Sequence, residues 1–90
     1  MKAQMYNYSN WITETNPDKI KKIYEPILEK AGFGILNFQE YHFKPFGYSA
    51  LWLLSESHFA VHTFPEENQS YIELVSCVKE QFDKCVLDIT

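Results

Sequence analysis

The sequence is short of basic residues, short of cysteines and without a long apolar run, and each shortage excludes a class of function. Lysine and arginine total 8 against 12 aspartates and glutamates, for a formal net charge of −4. A protein that binds nucleic acid or an anionic membrane needs a basic face, which this balance does not supply. Only Cys77 and Cys85 are present, with no CxxC spacing, and the three histidines are scattered. That set has no recognisable zinc-ligand pattern, so no metal is expected. No signal peptide opens the chain and no stretch is apolar over the length of a bilayer. The simplest expectation is a soluble cytoplasmic protein with reduced thiols. No linker, repeat or low-complexity segment divides the 90 residues, so a single domain over 1–90 is expected.

What the chain does have is apolar and aromatic side chains, at 46% and 17% of its residues. A lone domain of this size has a limited interior. Part of this inventory is therefore expected against a partner subunit rather than inside one chain.

Residues 1–12 read as an opening strand. Asn16-Pro17-Asp18 is a helix start, with a capping side chain, a proline in the first turn and an acid at the positive dipole end. Ile20, Ile23, Tyr24, Ile27, Leu28 and Ala31 then give one buried helical face. Pro26 should kink or weaken this helix, and Gly32 and Gly34 end it. Residues 35–43 are rich in strand formers, with a bulge expected between the Leu36/Phe38 pair and the Tyr41/Phe43 pair. Residues 44–47 read as a turn, 48–55 as an apolar interior strand and 58–64 as another strand. Residues 65–70 read as a turn, and 71–76 as an alternating strand. A short helix over 79–87 should turn Phe82, Cys85 and Val86 inward. Lys19, Lys21 and Lys22 read as a solvated helix face, and Trp52 as core or interface. The order β-α-β-β-β-β-α implies an α+β two-layer sandwich: an antiparallel sheet with helices on one face.

The chemistry concentrates in LLSESHFAVHTFPE, residues 53–66. This segment resembles the signature of prokaryotic S-adenosylmethionine decarboxylase proenzymes, which runs roughly ESHxxxHTWPE. Upstream, Phe43 to Ser49 resembles that family's F-x-P-x-G-x-S. Downstream, Cys77 stands twenty residues after Ser57, where the family has an acidic thiol. The resemblance spans about residues 18–77 without a gap.

The resemblance implies that the chain makes its own cofactor. Ser57 would attack the carbonyl of Glu56, the resulting ester would break by β-elimination, and residue 57 would become a covalent pyruvoyl group. That group would condense with the amine of S-adenosylmethionine and act as an electron sink during loss of carbon dioxide. His62 matches the histidine that assists processing, and Ser49 the serine beside it. Cys77 matches the proton donor. Phe43 matches an aromatic that stacks on adenine, and Glu66 an acid that holds the ribose hydroxyls.

Ser57 and His62 are five residues apart, so on a regular strand they face opposite sides. The family's site lies between two subunits, and a homodimer with shared sites is the corresponding expectation. The chain departs from the family pattern after Cys77, where Val78-Lys79-Glu80 replaces a usual glycine and turn. It departs again after the Pro65-Glu66 pair, and by stopping at Thr90. Three readings stay open: an S-adenosylmethionine decarboxylase serving spermidine synthesis, a pyruvoyl decarboxylase of ornithine or arginine, and an unprocessed homologue that binds a ligand or partner.

Overall fold

A computed structural model describes residues 3–90. Its element order is β1 (Tyr6–Ile12), α1 (Pro17–Lys30), β2 (Ile35–His42), β3 (Tyr48–Leu54), β4 (Ser57–Phe64), β5 (Gln69–Ser76) and α2 (Lys79–Ile89). The strands form one antiparallel sheet in the order β1-β5-β4-β3-β2, with both helices packed on one face. The expected two-layer α+β sandwich is the observed architecture.

Local chemistry explains the first helix. Asn16 Oδ1 accepts the backbone N–H of Lys19 at 3.0 Å, and Pro17 occupies the first helical position. One donor left free by the helix start is thereby satisfied. Ile20, Tyr24 and Leu28 are its buried stripe. The helix runs unbroken through Pro26, which is exposed, as is Lys22 four residues earlier. The carbonyl that loses its partner therefore faces water, and the helix tolerates the proline. At the other end Gly32, with φ +94°, donates to the Glu29 carbonyl, and Phe33 donates to that of Leu28. This paired closure is the Schellman motif, and the buried Phe33 supplies its apolar contact.

The sheet's inner face is lined by alternate strand residues. On β3 these are Tyr48, Ala50, Trp52 and Leu54, and on β4 they include Phe59 and Val61. Trp52 is fully buried between Phe38 and Phe59, with ring centroids 4.7 and 5.6 Å away, and Tyr24 of α1 caps Phe59 at 5.2 Å. From α2, Cys85 is buried while Phe82 and Val86 pack half-buried against the same core.

Several boundaries differ from the sequence expectation. The first strand starts at Tyr6, and residues 1 and 2 of the expected 1–12 element lie outside the described residues. The β2 bulge falls at Leu36, between Ile35 and Asn37, and pairing is regular from there to His42. One extra residue at the strand's start lets Ile35 and Phe38 both face the core. Strand β5 begins at Gln69 rather than 71, because Asn68 takes a left-handed conformation (φ 54°) and closes the preceding turn early. Lys21 is not simply solvated: it lies over the Phe38 ring, 4.6 Å from its centroid, and 3.8 Å from Glu40.

The face away from the helices carries Trp11, Tyr41, Leu51, Leu53 and Phe64, all exposed. A sheet with one covered face ordinarily turns polar residues outward on the other. The continuous apolar run of β3 is thus explained: its inner half fills the core and its outer half stands uncovered. Asn16→Ala should lower stability by about 1 kcal/mol and the melting temperature by roughly 4–8 °C. Urea unfolding with an unchanged slope checks this; an unmoved midpoint would show that the cap is idle.

Candidate active site

The β3–β4 hairpin turns through Ser55 and Glu56, and Leu54 pairs directly with Ser57. Closing so tight a turn sends Glu56 into the left-handed region, φ 57°, although it carries a Cβ. Non-glycine residues held there store strain of roughly 1–3 kcal/mol. The end of β5 lies alongside this turn. The Glu56 carbonyl oxygen accepts the backbone N–H of Cys77 at 3.4 Å. The Cys77 thiol in turn donates to the Glu56 carboxylate at 3.1 Å. That carboxylate, first as hydrogen-bond acceptor and also by its charge, with some desolvation between, pushes the thiol pKa above its ordinary value. The thiol is therefore held in its protonated form.

Ser57 opens β4 with its side chain toward the helix layer, where it is buried. Its hydroxyl donates to Ser76 Oγ at 2.7 Å, and Ser76 stands opposite it in the β4–β5 register. Helix α2 starts at Lys79, directly after this segment, with no side-chain cap. The Val78 N–H, at the helix start, donates instead to Ser76 Oγ at 3.0 Å. The departure from the family pattern after Cys77 is accommodated by this short run into α2, and the thiol still lies beside Glu56.

A second cluster forms at the opposite end of β3 and β4. Ser49 and His62 are direct cross-strand partners, and Ser49 Oγ lies 2.7 Å from His62 Nδ1. Both face the side of the sheet away from the helices. A shallow depression there is lined by Phe43, Phe46, Ser49, His62, Phe64 and Glu66. Phe43 is brought over Gly47, whose φ of +112° closes the β2–β3 loop, with the Phe43 N–H donating to the Gly47 carbonyl at 2.8 Å. Glu66 projects from the short 3-10 turn Pro65–Glu67 and is exposed.

The seven residues singled out from the sequence thus fall into two clusters. Glu56, Ser57 and Cys77 meet at one end, and Phe43, Ser49, His62 and Glu66 meet at the other. Along β4 the two ends are separated by about 16 Å and by the thickness of the sheet. Ser76 was missed by sequence reading. Its signal was a hydroxyl at the inward parity of β5, shared with Ser70 on either side of the apolar Ile72 and Leu74. Among the described residues no group of histidine, cysteine or acidic side chains could hold a metal ion. No helix among them is long and apolar enough to cross a membrane.

Comparison with known proteins places the chain in a family. The family model described as S-adenosylmethionine decarboxylase matches residues 3–89. An S-adenosylmethionine decarboxylase proenzyme of Bacillus cereus is 43% identical over 47 residues, which are 52% of this chain and 38% of that protein. One from Thermosipho melanesiensis is 29% identical over 75 residues, 83% of this chain and 57% of that protein. These alignments thus span between 38% and 57% of the relatives' own length. Among solved structures, the adenosylmethionine decarboxylase of Aquifex aeolicus superposes with a TM-score of 0.71 at 19% identity, covering 98% of this chain and 82% of that one. An AdoMetDC-delta26 monomer from Trypanosoma brucei superposes with a TM-score of 0.51 at 17% identity, covering 98% of this chain and 32% of that one. At these identities the superpositions establish the fold, and the family model establishes descent: the chain belongs to the S-adenosylmethionine decarboxylase family.

Proposed function

We propose that this chain is a self-processing proenzyme that cleaves between Glu56 and Ser57 and then decarboxylates S-adenosylmethionine, a step that serves spermidine synthesis. The observation that carries the reading is the state of that one peptide bond. Its carbonyl belongs to a strained left-handed residue and already accepts the Cys77 N–H, while the hydroxyl that follows it is buried and ordered.

Cleavage needs a donor where charge develops on the attacked oxygen. The Cys77 N–H is that donor, and its 3.4 Å reach leaves room to tighten as the oxygen becomes anionic. Leaving the left-handed conformation also releases strain when the bond breaks. The residues fit a pyruvoyl group at position 57, because the residue before it, Glu56, holds the Cys77 thiol protonated next to that position in the chain. Such a group supplies a ketone carbonyl that draws electron density from the substrate's α-carbon. Cys77 Sγ would be the group that supplies a proton to that carbon, and the Glu56 carboxylate would hold the proton on the thiol until then.

His62 and Ser49 lie too far from Ser57 to act on it within one chain. The uncovered apolar sheet face offers the remedy. A second copy packed against it by a two-fold axis would cover Trp11, Leu51 and Leu53 and bring the partner's His62 half-site toward the Glu56–Ser57 junction. In that arrangement Phe43 stacks on the adenine, Glu66 accepts from the ribose hydroxyls, and the homodimer carries two sites. Both cysteines are free thiols, which fits a cytoplasmic setting.

Incubation of the purified chain with carboxyl-labelled S-adenosylmethionine, ornithine or arginine should release label from the first alone. Ser57→Ala should remain one chain by intact mass and release none. Label release by an uncleaved chain, or from ornithine in preference, would overturn the assignment. A second expectation concerns pH. The thiol must be protonated to act, and its pKa is raised, so turnover should persist above the ordinary thiol range before falling. Glu56→Gln removes the first cause of that rise, so the alkaline limb of kcat in processed enzyme should move to lower pH. A limb that stays in place would remove Cys77 as the titrating acid.

A further inference from the structure

Ser76 is a hydroxyl on the inward face of β5, two residues beyond the apolar Leu74, fully buried and directly across the ladder from Ser57. Its oxygen accepts two hydrogen bonds, from the Ser57 hydroxyl at 2.7 Å and from the Val78 N–H at 3.0 Å. The residue between them in sequence, Cys77, donates its N–H to the Glu56 carbonyl oxygen. Residues 76–78 therefore contact both reactants of the cleavage step: the attacking oxygen through a side chain, and the attacked carbonyl through the backbone.

We propose that Ser76 is a positioning residue for self-cleavage, its Oγ holding the Ser57 hydroxyl in the rotamer from which it attacks Glu56. This rests on the processing reading above and adds a residue that reading does not require. In the step, a bond forms between Ser57 Oγ and the Glu56 carbonyl carbon. The bond from that carbon to the nitrogen of residue 57 breaks, and the hydroxyl proton ends on the freed nitrogen. A serine side chain has three staggered wells, and the acceptor at Ser76 selects one of them. The Val78 N–H fixes the acceptor itself, so the selection is not lost to rotation of Ser76.

The test compares Ser76→Thr with Ser76→Val in the full chain. The two replacements have nearly the same shape and both suit a strand, so they differ chiefly in the hydroxyl. Cleavage is followed by intact mass against time, and folding by thermal melting. The Thr variant should process within a few-fold of wild type, while the Val variant should process about 10- to 100-fold more slowly, the effect of one lost hydrogen bond on a barrier. Melting temperatures of the pair should agree within a few degrees. Hydroxylamine, which cuts an ester but not an amide, should trap less ester in the Val variant, because the lost contact acts before the ester forms. Equal processing of the two folded variants would overturn this inference alone. A wild-type chain that never cleaves would overturn it together with the processing reading.

Discussion

A β-strand points successive side chains to opposite faces, and that alternation governs everything the candidate site can do. On β4 it sends Ser57 into the helix-covered interior and His62 to the open side, five residues further along. No rotamer change brings them together across a hydrogen-bonded sheet. The candidate residues therefore fall into two separate clusters, one toward each end of β4. One has a strained carbonyl beside a thiol, and the other a serine–histidine pair over a shallow depression. The same alternation produces the uncovered apolar face, since β3 is apolar at both parities while only one face meets helices. The outward-facing Ser49–His62 pair and the uncovered apolar surface thus have one cause, and they lie on the same face of the sheet.

The β3–β4 turn shows how tertiary structure holds one peptide bond. A two-residue hairpin turn imposes the left-handed backbone at Glu56, and the register of β5 beside β4 brings Ser76 and Cys77 alongside. Helix α2, starting two residues later, is tied to the end of α1 by Gln81 Nε2 donating to the Gly32 carbonyl at 3.1 Å, and by Lys30 with Asp88. The position of the thiol thus rests on the packing of both helices. Cys85, by contrast, is buried in that packing, and desolvation, with a smaller effect of Asp88, lifts its pKa to about 12. It is a core residue, kept from the chemistry by its surroundings.

Much of this was legible in the sequence, for identifiable reasons. The helix over 17–30 announced itself by Asn16, Pro17 and the spacing of Ile20, Tyr24 and Leu28, all of which act locally. The succession of strands along the chain was readable as apolar segments between turns, whereas the pairing of β1 with β5 was not. The candidate site residues were read from their register with a known signature, and the odd interval between Ser57 and His62 already placed them on opposite sides of a regular strand. What was not legible depended on pairing between distant segments. The Leu36 bulge is set by the need to put Ile35 and Phe38 on one face against Leu54 and Trp52. Ser76 gains meaning only when β5 lies beside β4. The grip of Lys21 on Phe38 and Glu40 depends on where α1 crosses the sheet.

Sharing of each site between two chains is the claim from which the rest follows, and mixing two disabled chains tests it directly. A His62→Ala chain retains a cleavable Ser57 but lacks the histidine, and a Ser57→Ala chain retains the histidine but has nothing to cleave. Coexpressed with distinct mass tags beside a cleaving wild-type control, the two should yield cleavage of the His62→Ala chain that is absent when it is made alone. If that chain cleaves equally well alone, or stays whole in the mixed dimer, the site is not built across two subunits.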